Sequence, residues 1–265
     1  MSLFNRNRRN AFTLIELLVV IAIIVLLAAI LFPVFAKAKE NGLRATALTQ
    51  AQQLGTALTL YLNQNDDKYL PSTNYGLPDS APEKMWQNNL LGLVKEKKIF
   101  IAPGSDAQFA ENWDDRGLMS IGYSSATALD KQQGCPEDKP DTTNCIAFQT
   151  VAEFDKSENT SAIALFAVTP NGPTDNNYRG YEFSPYNGAE NTEQPKFSPP
   201  LVSDRDLVKE MSNLPADLIK PVYCRYMRTG QDEGFTPIIF ADGRAKDFSA
   251  KQINDGGTGI IWRFR

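Results

Sequence analysis

An unbroken apolar run from Leu17 to Phe32 stands directly after a single carboxylate, Glu16, and no other feature restricts this chain as much. From Leu17 to Ala36 about twenty residues carry no charge, and at helical rise they cover about 30 Å, the thickness of a bilayer's hydrocarbon core. The segment is long enough to span a membrane. An acid at the centre of such a helix costs on the order of 2.5–3.5 kcal/mol, and somewhat less near an end, so Glu16 needs a cation as partner. Arg6, Arg8 and Arg9 precede the run with no acidic residue among them. The positive-inside rule keeps this end in the cytoplasm and sends the remainder across.

Two ordinary readings compete. Ala36-Lys37-Ala38 has the small-x-small form of a secretory cleavage site, but the apolar run exceeds the roughly 7–15 residues of such signals. A plain signal anchor holding a soluble domain is the other. Neither explains Glu16 at its position. The short basic leader, then Ala11 before Phe12-Thr13-Leu14-Ile15-Glu16-Leu17-Leu18-Val19-Val20-Ile21, resembles the class III signal of type IV pilins and type II secretion pseudopilins. The resemblance implies that a prepilin peptidase cuts between Ala11 and Phe12 and methylates the new amino terminus. It also implies that Glu16 pairs with the terminal amine of a neighbouring subunit. Gly is commoner than Ala before the cut in that family.

Beyond the span, no proline occurs from Ala36 to about Asn65. Leu43, Ala47, Ala51, Leu54, Leu58, Tyr61 and Leu62 recur at steps of three and four, an apolar stripe on a polar helix. A helix continuous from Phe12 to Asn65 would reach about 80 Å, so half of it lies outside its own domain. Pro33 predicts a kink or local melting near Leu26–Pro33, and the pilin resemblance implies the same. Gly42 and Gly55 are expected to loosen the outer half. The expected organisation is a leader (1–11), a membrane and filament-core helix (12–35), its amphipathic continuation (36–65) and an extracytoplasmic head (66–265).

Removing the leader's three arginines takes the net charge from −4 to −7, a balance that argues against broad nucleic-acid binding. The predicted class is α+β, the long helix packed on a mainly antiparallel sheet with long loops. A helix is expected within Pro82–Lys98. Strands are expected at Met119–Ser124, Cys145–Phe154, Ser161–Val168, Val222–Arg228, Phe235–Ala241 and Arg244–Phe248. Asp242-Gly243 suits a hairpin, and Pro237 predicts an edge strand or a strand start. Thr169–Ser203, rich in Pro, Asn and Gly, reads as a surface excursion with few core positions. Ile238-Ile239-Phe240-Ala241-Asp242-Gly243 resembles the closing hairpin of large bacterial pilin-like proteins, and Ile99–Asp106 loosely resembles their Phe-x-Cys-Pro-Ser-Asp segment. Asp232, Ala102 and Arg244 stand where that subgroup carries His, Cys and His.

The chain has no histidine, which removes Ser-His-Asp, Cys-His and His-metal chemistry and leaves only paired carboxylates for hydrolysis. Solvated surface acids are the simpler reading, and no enzyme activity is expected. Asp255-Gly256-Gly257-Thr258-Gly259 lacks the lysine of a phosphate loop and reads as a tail turn. Related pseudopilins hold calcium in head loops, and Asp175 and Asn176 (within Thr174–Asn177) with Asp232 and Glu233 are the oxygen donors that would serve here; no other cofactor is expected. Cys135 and Cys145 flank a short loop and are the favoured pair among three possible pairings, with Cys224 left over. Zinc lacks a fourth ligand.

The sequence thus leads to a filament subunit of a type IV pilus-like or type II secretion pseudopilus fibre. Its expected partners are the prepilin peptidase, identical or related subunits, an inner-membrane assembly platform and the membrane. Its expected place is the inner membrane as precursor, then a filament in the periplasm or at the surface. The alternative is a membrane-anchored extracytoplasmic binding domain that does not polymerise.

Overall fold

Long apolar and Ala/Thr/Gln-rich stretches without a helix breaker other than Pro33 give α1, Leu14–Gln64, in the computed structural model. The structure describes residues 12–74, 76–124, 159–172, 180–183, 199–200, 202–203, 206, 221–229 and 233–262. They fall into two compact units divided after Asn41. In the first unit α1 stays helical through Leu26–Pro33, so the expected melting is absent. Pro33 removes one amide donor, and the helix continues through the loss of that single bond.

In the second unit, Ala47, Ala51, Leu54, Gly55, Ala57, Leu58 and Leu62 form the buried side of α1. Five of the seven positions in the stripe expected from sequence are among them, while Leu43 and Tyr61 are only half-buried and Gly55 and Ala57 join the buried side. The helix stops where Asp66 and Asp67 take positive φ (53° and 59°), a conformation that Asp tolerates better than most residues. Asn65 Nδ2 donates to Tyr61 O at 2.8 Å across the end.

The head sheet has the order β3-β1-β2-β6-β7, built from β1 (Ile121–Ser124), β2 (Ala164–Val168), β3 (Glu182–Phe183), β6 (Phe235–Phe240) and β7 (Ala245–Ser249). Three of its pairings are antiparallel and β1 with β3 is parallel. A second small sheet pairs β4 (Val202–Ser203) with β5 (Val222–Tyr223). The fold is α+β with a mostly antiparallel sheet. Every residue of β2 is buried because both faces of the sheet are covered, which explains its continuous apolar run. On one face Leu54, Leu58 and Leu62 share a core with Trp86, Phe100, Tyr123, Phe166 and Tyr181. Trp86 centres it, 4.9 Å from the Phe166 ring and 5.7 Å from Phe100, with its Nε1 donating to Tyr181 O at 2.6 Å. On the other face Ile238, Phe240 and Phe248 pack with α3 (Ala250–Asn254) and the closing residues Ile260 and Trp262.

Several sequence expectations change. Thr169–Ser203 is not merely a surface excursion: Tyr181 and Phe183 are fully buried and Glu182–Phe183 forms β3. Pro237 lies in β6, an interior strand. Phe240 N donates to Arg244 O in the hairpin, and ladder alternation then turns the Pro237 nitrogen away from β7. The β2 ladder has already ended, at Ala167 opposite Ile238, so no donor is missed. The helix expected within Pro82–Lys98 is α2, Trp86–Leu90, with short 3₁₀ turns on either side. Asn88 and Asn89 side chains bond back to Pro82 O and Glu83 O there, competing with a longer helix.

Candidate functional site

Two residues outside the helix, Phe12 and Thr13, lead into α1. An α-helix leaves its first four amides without internal partners, and a Thr-x-x-Glu sequence can satisfy two of them. Thr13 and Glu16 do this. The Thr13 N–H donates to Glu16 Oε2 at 2.8 Å, and the Glu16 N–H donates to Thr13 Oγ1 at 3.2 Å. The Thr13 hydroxyl adds a bond to the same Oε2 at 2.7 Å. Oε1 of Glu16 takes no hydrogen bond from any described residue and is open to a further donor. Phe12 is 72 % exposed, and the apolar side chains from Leu14 to Phe35 are exposed in the isolated chain. The helix is long and apolar enough to cross a membrane.

The outer end of α1 is fixed by contacts that sequence reasoning did not assign. Asp242 and Gly243 form the tip of the β6–β7 hairpin, with Gly243 N bonded to Phe240 O and Gly243 at φ +81°. That turn lies directly on Gly55, where an added Cβ would come within 1.9 Å of Gly243 O. Gly55 therefore serves close packing rather than looseness. At the start of the unit, Arg44 Nε donates to Asp247 Oδ2 at 2.5 Å and its guanidinium stacks 3.4 Å from the Phe235 ring centroid. Burial pushes the Asp247 carboxyl above its usual pKa, and the Arg44 hydrogen bond and charge oppose that rise.

Ala11, Cys135, Cys145, Asp175, Asn176 and Asp232 lie outside the described residues. Among the described residues there is no group of three or more His, Cys, Asp or Glu side chains fit to hold a metal, and Glu233 stands apart from any such group. Cys224 is a buried free thiol whose pKa burial pushes far up, so it stays protonated. The residue missed at the functional end is Thr13; the Thr-x-x-Glu spacing was its signal.

Residues 6–32 match the family model of the prokaryotic N-terminal methylation motif. The chain carries a type IV pilin-like prepilin signal. Such a prepilin signal implies processing by a prepilin peptidase and a membrane-anchored precursor. No curated protein and no solved structure matches the chain.

Proposed function

We propose that this chain is a structural, non-catalytic subunit of a type IV pilus-like or type II secretion pseudopilus filament. The observation that carries this reading is the prepilin signal on a capped, acid-bearing helix long enough to span the membrane, attached to a head with its own core. The peptidase hydrolyses the Ala11–Phe12 bond, and the new amine receives a methyl group. The processed helices then leave the bilayer together through an inner-membrane assembly platform and pack against identical or related subunits, heads outward. Glu16 compensates the incoming Phe12 amine in the low-dielectric filament core. The filament stands in the periplasm or at the cell surface.

Intact-terminus mass spectrometry of protein from cells with an active prepilin peptidase tests the reading. The mature chain is expected to begin with N-methyl-Phe12. A chain beginning at Lys39, or one retaining Met1, would overturn it and favour an anchored domain that does not polymerise.

A further inference from the structure

Asn159-Thr160-Ser161 is the one Asn-x-Ser/Thr sequence in the chain, and its middle residue is not proline. Sequences of this form accept N-linked sugars when they lie on an exposed, exported surface. The pattern is short and arises by chance, so the local geometry has to carry the argument. Asn159 is exposed, directly before a 3₁₀ turn, Thr160–Ala162, that leads into β2. The turn is held from both sides. Ala162 N donates to Asn159 O at 2.8 Å, Arg244 Nη2 of the β6–β7 hairpin donates to Ser161 O at 2.5 Å, and the next residue, Ile163, is fully buried.

The Ser161 N–H donates to Asn159 Oδ1 at 3.0 Å, and the Ser161 hydroxyl donates to the same oxygen at 2.7 Å. A backbone N–H can only donate, so the amide oxygen faces the turn and Nδ2 faces away from it. No described residue accepts a hydrogen bond from Nδ2. An amide nitrogen is a poor nucleophile because its lone pair is delocalised onto the carbonyl oxygen. When a base removes a proton from Nδ2, the charge collects on Oδ1, where the two Ser161 donors are already aimed. The hydroxyl two residues on therefore activates the acceptor.

We infer that Asn159 is a site of N-linked glycosylation on the extracytoplasmic side. The sugar donor is a glycosyl diphosphate ester of a membrane lipid, used by a transferase on the side of the bilayer that holds the head. Nδ2 bonds to the anomeric carbon, the bond from that carbon to the diphosphate oxygen breaks, the lipid diphosphate leaves with the electron pair, and the Nδ2 proton passes to a base of the transferase. The inference rests on export of the head and not on polymerisation. A turn with a structural role alone makes a different demand. Aspartate serves it as well as asparagine does, because the turn uses only Oδ1, whereas sugar transfer needs both Nδ2 and the Ser161 hydroxyl.

The test is tandem mass spectrometry of the peptide spanning Asn159, taken from the full-length chain in membranes of its native cells. A saccharide on Asn159 is expected in most copies. Ser161→Thr is expected to keep it, and Asn159→Asp and Ser161→Ala are each expected to lower it at least tenfold, with the unfolding midpoint of Asn159→Asp unchanged. A bare Asn159 in wild-type chain whose head is open to protease added to spheroplasts would overturn the inference alone. Equal modification of Ser161→Ala would overturn it as well. A head protected from that protease would overturn export of the head, and the glycosylation site would fall with it.

Discussion

Gly55→Ala is expected to lower the unfolding temperature of the head by roughly 4–8 °C, although alanine is the better helix former. In an open helix the exchange stabilises by about 0.8–1.0 kcal/mol. At Gly55 the added Cβ would lie 1.9 Å from Gly243 O and 2.8 Å from Gly243 C. Both are backbone atoms that cannot rotate aside, and Gly243 is itself fixed in its turn by a φ of +81° and by the bond from its N–H to Phe240 O. Overpacking costs about 1–3 kcal/mol and sometimes more, and a 1.9 Å approach to backbone lies at the upper end, so a net loss of about 2 kcal/mol remains after the propensity gain. For a unit of this size each kcal/mol moves the midpoint by roughly 2–4 °C. Near-UV circular dichroism of the full chain in detergent reads the transition through the aromatic core around Trp86.

The sign should reverse at Gly42, where an added Cβ meets nothing within 4 Å. Gly42→Ala is expected to raise the midpoint slightly, in line with propensity alone. Equal shifts for the two variants would show that the contact between the hairpin tip and α1 carries no energy.

That contrast marks the boundary of what the sequence could show. Steps of three and four revealed which side of α1 is buried, because periodicity is a local property of one element. The identity of the residue facing Gly55 is not local: a glycine in a helix looks like a weak point until the hairpin nearly two hundred residues later is placed on it. Pro237 misled for a related reason. Its lost amide matters only if it points toward a partner strand, and that phase is set by the Asp242-Gly243 turn and by where the β2 ladder ends. Tyr181 and Phe183 were hidden because these two core residues sit in a stretch dominated by Pro, Asn and Gly, and β3 pairs with β1 in parallel across a long chain separation. At the functional end the opposite happened. The prepilin signal was fully legible, but attention to the cost of the Glu16 charge concealed its second use as the far half of a capping box with Thr13.

That second use decides how Glu16 should be tested. Glu16→Val removes two things, the charge and the hydrogen bonds to Thr13, so its effect alone cannot be assigned. Glutamine at the same position of a capping box still accepts from the Thr13 amide while carrying no charge. Losing a cap costs about 0.5–2 kcal/mol, whereas leaving one partner of a buried ion pair alone costs about 3–5 kcal/mol. Each 1.4 kcal/mol is a factor of ten in an equilibrium. Glu16→Gln and Glu16→Val are therefore both expected to insert normally and to reduce the ratio of sheared filament to membrane-pool subunit by about a hundredfold or more. The Thr13 bonds occupy only Oε2, so cap and intersubunit pairing need not exclude each other, and Oε1 is the atom left for the Phe12 amine of a neighbour. If Glu16→Gln assembles like the wild type while Glu16→Val does not, the carboxylate acts as a helix cap, and the pairing of Glu16 with an incoming amine is wrong.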